Sequence, residues 1–454
     1  MLKKHHQFQR LKYTNLIKIK NNMKPLFLRC VFVISFLMIS TLIACNVSVE
    51  KKLNENIEKK ITENIINEFV YYNEDHLQLV KNRIKLKDPY FLKNYENVLK
   101  EGNKALKYKA DPVTNKTQTP PSKDIHDYLS YAPYRWPDAS KPDGLPWIAK
   151  DGIINPVSRG NDTDFKRKTA FFDAIEKLSW SYYFSEDKKF AEKALELIKV
   201  WYLNPETRVN PNINFGQGVP GIADGRKAGV HEWCQQSQVI TAMQMFENDG
   251  ILPKDVKQGM DIWFNDYLHW LITNPMAIEA GLTRQNHANH YNYQVVGLMM
   301  YLGKNEEAKQ VVEDAKQARI ADQIMPDGSQ PREMGRTKSV QYATLNLWSM
   351  TELTLMGQKL GIDLWAYKTK EGRSLKKAYS YLTPFVLGIE KWPQRQITEG
   401  GPEKAINKYM VPVFSMASTA LDTILIDPKF KTYTNLKPLD ALRYPPINLL
   451  HRKN

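Results

Sequence analysis

A chain of 454 residues is long enough for a large buried core, in one big domain or two or three. Its 42% hydrophobic and 25% charged residues are those of a globular protein, which excludes a disordered or fibrous chain. The formal charge of +15 points to an acidic partner, although eight of the cations and no acid fall in residues 1–45, leaving +7 for the rest.

In chain order, the first signal starts at Met23. Lys24 and Arg29 precede the apolar run CVFVISFLMISTLIAC, which is too short for a comfortable membrane span. It ends in Leu42-Ile43-Ala44-Cys45, similar to a bacterial lipobox. Cys45 is then the lipidated first residue of an exported protein, periplasmic or anchored at the outer membrane; the alternative is an uncleaved anchor helix. The lipid is the only membrane contact this implies. Export makes an acidic polysaccharide the better partner and nucleic acid the poorer one. Of three cysteines, Cys30 lies in the apolar run and Cys45 is the lipid site, leaving Cys234. That excludes a disulfide framework and a thiolate metal cluster.

Residues 46–75 are polar and read as a tether running into a first helix, with residues 76–454 as a single domain. Helical spacing of apolar residues predicts helices near 92–108, 165–185, 187–203, 232–248, 254–273, 289–302, 305–322, 336–360, 373–388 and 404–422. Alternating strand patterns are scarce. Many helices of 12–25 residues with loops between them predict an all-α fold, an (α/α) toroid of about six to seven helix pairs. Two connections are unusually long, 131–156 and 210–233. Both mix aromatics, charges and amides with Pro and Gly, which marks them as functional rather than mere surface loops.

The stretch TRQNHANHYNYQ, residues 283–294, starts a helix whose remainder, VVGLMMYLG, is apolar. Asn286 and His287 sit at its mouth, where free backbone N–H groups favour an anion. His287 shares a face with His290 and with Tyr291. A zinc site at His287 and His290 lacks supporting ligands, so no metal is assigned. Further on, MPDGSQPREMGRTKSVQYATLNLWSM places Arg332, Glu333, Arg336 and Tyr342 ahead of and inside another apolar helix. Arg336 and Tyr342 are six apart and converge only if Arg336 lies at the helix entry. Each residue taken alone has a plain alternative: a capping histidine, a surface arginine, a core tyrosine.

Four segments in order resemble the alginate lyase superfamily of α/α-toroid polysaccharide lyases, over about residues 125–425: LSYAPYRWPDASKPDGLPWI, ETRVNPNINFGQGVPGIADGR, QNHANHY and PREMGRTKSVQY. The closest kinship is with the branch cleaving alginate or glucuronan. The chain departs at Gln285, where Asn is common, and at Asn289-His290, which replace a frequent Thr-Trp pair and place an altered subsite there. The resemblance implies β-elimination on an acidic polyuronate, alginate first. A base removes the C5 proton, the C4 oxygen leaves, and a 4,5-unsaturated uronate results. Asn286 and Arg336 are then assigned to neutralise the C6 carboxylate, so that no metal or other cofactor is needed, and Tyr342 to protonate the leaving oxygen. In mannuronan and glucuronan the proton and leaving oxygen share a side, so Tyr342 can serve as base and acid. In guluronan they do not, and His287 is the natural base. Tyr134, Trp136, Gln217, His231 and Glu232, with His290 and Tyr291, are the candidates for gripping sugars. The alternatives are a glucuronan or glycosaminoglycan lyase, a binding protein without catalysis, or a hydrolase using Glu232 and Glu333 as its carboxylate pair.

Overall fold

The computed structural model describes residues 68–418, 436–445 and 449. The signal segment, Cys45 and most of the tether lie outside them, as do residues 419–422 of the last predicted helix.

The compact unit begins at Glu68, earlier than the boundary expected at 76. Phe69, Val70, Tyr71 and Tyr72 are all buried, with Tyr71 tilted against Tyr293 and Tyr72 edge-on to Trp180. Two helices follow, α1 (Glu74–Lys85) and α2 (Pro89–Ala105). Asn73 caps α1 by accepting from the His76 N–H at 3.0 Å. Helix α1 straddles the expected boundary at 75/76, and its polar composition keeps it out of the helices predicted from periodicity, the first of which is placed near 92–108.

Next come α3 (Phe165–Ser185), α4 (Lys188–Ile198, continued by a π turn at Lys199–Leu203), α5 (Gln236–Asn248) and α6 (Lys254–Thr273). They are followed by α7 (Pro275–Gly281), α8 (Asn286–Tyr301) and α9 (Asn305–Ala315, continued by a π turn at Lys316–Ala321). The remainder are α10 (Pro331–Met334), α11 (Ser339–Lys359), α12 (Leu375–Val386), α13 (Pro402–Ala405), α14 (Val411–Ser418) and α15 (Pro438–Arg443). Two spans, 165–185 and 254–273, match expectation to the residue.

Helices α3, α5, α8 and α11 are buried on almost all sides; α11 buries 15 of its 21 residues. They pack in succession, α3 on α5, α5 on α8 and α8 on α11. Helices α4, α6, α9 and α12 bury one stripe each, as in Val256, Met260, Phe264, Tyr267 and Leu271 of α6. A helix buried all round belongs to an inner ring, and a one-striped helix to the outer layer around it. This is the (α/α) toroid. Among the described residues, no helix is long and apolar enough to cross a membrane.

The two long connections are not structureless. β1 (Leu129–Tyr131) and β4 (Phe215–Gly218) pair in parallel, and β2 (Arg135–Trp136) and β3 (Ile148–Ala149) pair antiparallel. A 3₁₀ helix spans Lys227–Trp233. These short pieces hold one connection against the other across the end of the ring.

Candidate active site

A cleft of about 580 Å³ lies where the two connections meet the entries of α8 and α11. Tyr134, Gln217, His231, Glu232, Asn286, His287, His290, Arg336 and Tyr342 all line it. The other two candidates do not. Tyr291 turns away and donates its hydroxyl to the Leu271 carbonyl at 3.0 Å, its ring against Gly281. Trp136 donates its indole N–H to the Ile153 carbonyl at 3.0 Å and lies under Lys150. Tyr291 went astray because helical spacing sets a face but not which face the ring covers.

At the α8 entry the polar start of a core helix finds its reason. Glu333 accepts from the Asn286 backbone N–H at 2.7 Å and from its Nδ2 at 2.8 Å. The helix mouth expected to receive an anion is therefore capped by a protein carboxylate at its first N–H. Burial raises the pKa of Glu333, and the two hydrogen bonds from Asn286 oppose that rise. Asn289 is fully buried, donating to Gln323 Oε1 at 2.9 Å and Asn346 Oδ1 at 2.6 Å. Of the Asn289-His290 departure, only His290 reaches the cleft.

Three imidazoles meet there. The rings of His231 and His287 stack at 4.9 Å and 7°, with His290 edge-on to His231 at 6.2 Å. His290 Nδ1 lies 2.8 Å from the Asn286 carbonyl, which can only accept, so Nδ1 carries the proton and Nε2 keeps its lone pair. Burial lowers the pKa of His231 and His290 to about 4 each. Burial, then the other two histidines and Arg336, holds His287 well below 6.5. All three are neutral at pH 7. His287 is thus a free base; among the described residues no group of three or more His, Cys, Asp or Glu is placed to hold a metal ion.

Arg336 does lie at the entry of α11, and its guanidinium sits 3.9 Å over the Tyr342 ring. Two residues six positions apart, which could not share a helix face, converge because residues 336–338 precede the helix. Asp151 fixes Arg336 through Nη2 at 2.7 Å and takes the Thr337 hydroxyl at 2.9 Å. Tyr342 donates to the Tyr134 hydroxyl at 3.2 Å, which also accepts from Lys338 Nζ at 3.3 Å. Burial, then Tyr134, pushes the Tyr342 pKa up, and the Arg336 charge only partly offsets this. Tyr342 is therefore held as a proton donor.

Gln217 sits in the left-handed region at φ 51°. Its N–H donates to Ser130 Oγ at 2.8 Å, and Arg226 binds its backbone carbonyl at 3.0 Å and its Oε1 at 3.1 Å. Glu232 Oε2 accepts from Tyr128 at 2.8 Å and from Ser130 at 2.6 Å. With Glu232 and Glu333 both engaged as acceptors and only Glu232 lining the cleft, the hydrolase pair is not assembled.

Sequence reading missed Asp151, Arg159, Lys168 and Arg226, all of which line the cleft. Asp151 and Arg226 lay in the two marked connections, but Lys168 looked like an ordinary helix-face charge. It is fully enclosed, donating to the Glu232 carbonyl at 2.8 Å and to Gln235 at 3.0 Å, and burial lowers its pKa to about 8. With Arg135 and Arg336, five cations face two carboxylates, Asp151 and Glu232, around the cavity. Such a cleft attracts a polyanion and holds it at fixed donors.

A family model described as alginate lyase matches residues 112–392. An alginate lyase structure from Bacteroides ovatus is 32% identical, with a TM-score of 0.77, covering 82% of this chain and 98% of that one. Alginate lyase A1-III from Sphingomonas species A1, solved with a tetrasaccharide, is 15% identical at a TM-score of 0.51, covering 79% and 96%; that likeness concerns the fold alone. No curated protein matches the chain. With a family match over more than half the chain and a close structural relative over most of it, the chain belongs to the alginate lyase family and is a polysaccharide lyase.

Proposed function

We propose that this lyase cleaves alginate by β-elimination, with Asn286 and Arg336 neutralising the C6 carboxylate, His287 as base and Tyr342 as acid. One observation carries the reading: a neutral imidazole, a protonated phenol, a carboxamide and a guanidinium converge in one cationic cleft. The name of the Bacteroides ovatus relative supports alginate as the polymer.

The hard step is the charge that builds on the carboxylate as C5 loses its proton. Asn286 is immobilised by Glu333, and Arg336 by Asp151, so both can meet that charge without reorganising. His287 takes the C5 proton, the electron pair forms the C4=C5 bond, the C4–O4 bond breaks, and Tyr342 gives its proton to O4. These resting charge states suit guluronate, where base and acid act from opposite sides. On mannuronate or glucuronate, Tyr342 must first give up its proton to act as base. Incubation with polymannuronate, polyguluronate, glucuronan and hyaluronan, read by the ultraviolet absorbance of the new double bond, tests this. Absorbance from alginate upholds it; none from any uronan overturns it, and absorbance only from glucuronan or hyaluronan moves the substrate.

We also propose that the protein is exported and held at a membrane by a lipid on Cys45, on the strength of the apolar run and the Leu42–Cys45 motif.

A further inference from the structure

The two loops that bring Asn286 into the cleft and Glu333 onto Asn286 send Arg284 and Arg332 elsewhere, into a second hollow of about 790 Å³ that shares no lining residue with the first. We propose that this hollow is a second, non-catalytic binding site for a uronan chain. The proposal rests on the polyuronate reading above and extends it to polymer beyond the cleft.

Charge is the first argument. Arg284, Arg332, Lys368, Lys370 and Arg373 line the hollow against only Asp322 and Glu371. They are set in place rather than scattered. Asp322 is gripped by Arg284 through Nε and Nη2 and by Arg332 Nη1 at 3.1 Å, so one carboxylate orients two guanidinium groups and neutralises one. Arg332 Nη1 also donates to the Asp322 carbonyl at 3.0 Å. Arg373 Nη1 is held by the Ala321 and Ile324 carbonyls at 3.1 and 3.3 Å, which orient its charge without cancelling it.

Lys368 and Lys370 are exposed on a turn closed by Thr369 N–H to the Arg373 carbonyl and Gly372 N–H to the Thr369 carbonyl, both at 3.0 Å. Gly372 supplies the left-handed residue that the turn requires, at φ 89°. Among the described residues, neither lysine has an ion-pair partner. A half-buried Tyr367 completes the lining, its hydroxyl accepting from Gln317 Nε2 at 2.8 Å, which steadies a ring that a sugar face can cover. Cations from three chain segments, a fixed aromatic ring and a volume within the roughly 300–1,000 Å³ of ligand clefts fit several saccharide units, each with a carboxylate, better than one small anion.

A chain held at both places binds the second by an intramolecular step, so polymer should gain affinity that a short oligosaccharide does not. The test uses the full chain carrying Tyr342→Phe to prevent cleavage. Dissociation constants are measured for polymeric alginate and for an alginate tetrasaccharide. Adding Arg284→Ala, Lys368→Ala and Lys370→Ala together should weaken polymer binding about tenfold or more and leave the tetrasaccharide unchanged. A charge-matched control, Lys85→Ala, Lys93→Ala and Lys100→Ala on α1 and α2, should weaken neither. Unchanged polymer binding in the first triple variant overturns the proposal. So does an equal loss in the control, which would mean diffuse attraction, or an equal loss on the tetrasaccharide. Absence of polymer binding by the parent overturns it as well. Failure of the lyase reading is seen separately, in the absorbance assay on the unmodified enzyme.

Discussion

Tyr342 and His287 both start the reaction uncharged, one as acid and the other as base, and burial sets both: it keeps the phenol protonated and the imidazole unprotonated at one nitrogen. Tyr342→Phe removes the only acid and should cost about 10²–10⁴-fold in kcat on every substrate cleaved. His287→Ala should cost as much on polyguluronate and clearly less on polymannuronate; equal losses on both would sink the division of roles. Thermal melts by circular dichroism should find both variants folded. A pH profile gives an independent check. The pKa of His287 is depressed, so its base form is kept as pH falls through 6.5 and is lost only well below. kcat/KM on polyguluronate should therefore stay nearly flat from pH 7 to 6, where a histidine of ordinary pKa near 6.5 would lose roughly threefold. Glu333 acts through Asn286. Glu333→Ala should lower kcat about 10- to 100-fold through a misplaced carboxamide, with Glu333→Gln milder because it keeps one acceptor. An unchanged kcat in Glu333→Ala would mean that Asn286 holds its place unaided.

At the scale of elements, the cleft depends on how closely β4 meets the 3₁₀ helix at Lys227–Trp233. A Cβ on Gly229 would lie 2.7 Å from the Gly216 Cα and 2.5 Å from its carbonyl carbon, closer than real contacts allow. Backbone cannot step aside as a side chain can. Gly229→Ala should push the two elements apart, displacing Gln217 on one side and His231 and Glu232 on the other. A loss of about 1–3 kcal/mol in unfolding free energy, with reduced kcat/KM, is the expected result. A variant with parental melting temperature and activity would show that the contact relaxes freely. The same scale explains the helix starts. Arg336 reaches Tyr342 from the turn before α11, a convergence that depends on where the helix begins rather than on spacing along it.

For the whole molecule, the folded unit runs from Glu68, with Phe69–Tyr72 buried in its core. Cys45→Ala should abolish lipid labelling and shift the protein from the membrane fraction to the soluble one. Unaltered membrane association would dismiss the lipobox reading. The toroid itself does two jobs. Its inner helices deliver Asn286, His287, His290 and Tyr342 from their entries, and the two long connections close over that end with Tyr134, Asp151, Gln217 and Arg226.

The helices were legible in the sequence because burial imposes a period that residue types must follow, which is why 165–185 and 254–273 could be read to the residue. Four catalytic candidates were legible as well, since they stand in ordered motifs whose residue types serve one chemistry. What the sequence left undetermined were orientations and partners. Whether Tyr291 or His290 faces the cleft turns on how α8 is rotated against its neighbours, and only packing fixes that. The capping of Asn286 by Glu333, 47 positions away, and of Arg336 by Asp151, 185 positions away, are pairings between distant segments that leave no local pattern. The charge states were likewise decided by tertiary structure. An isolated histidine titrates near 6.5 and a tyrosine near 10, and only enclosure by other chain segments moves them down and up.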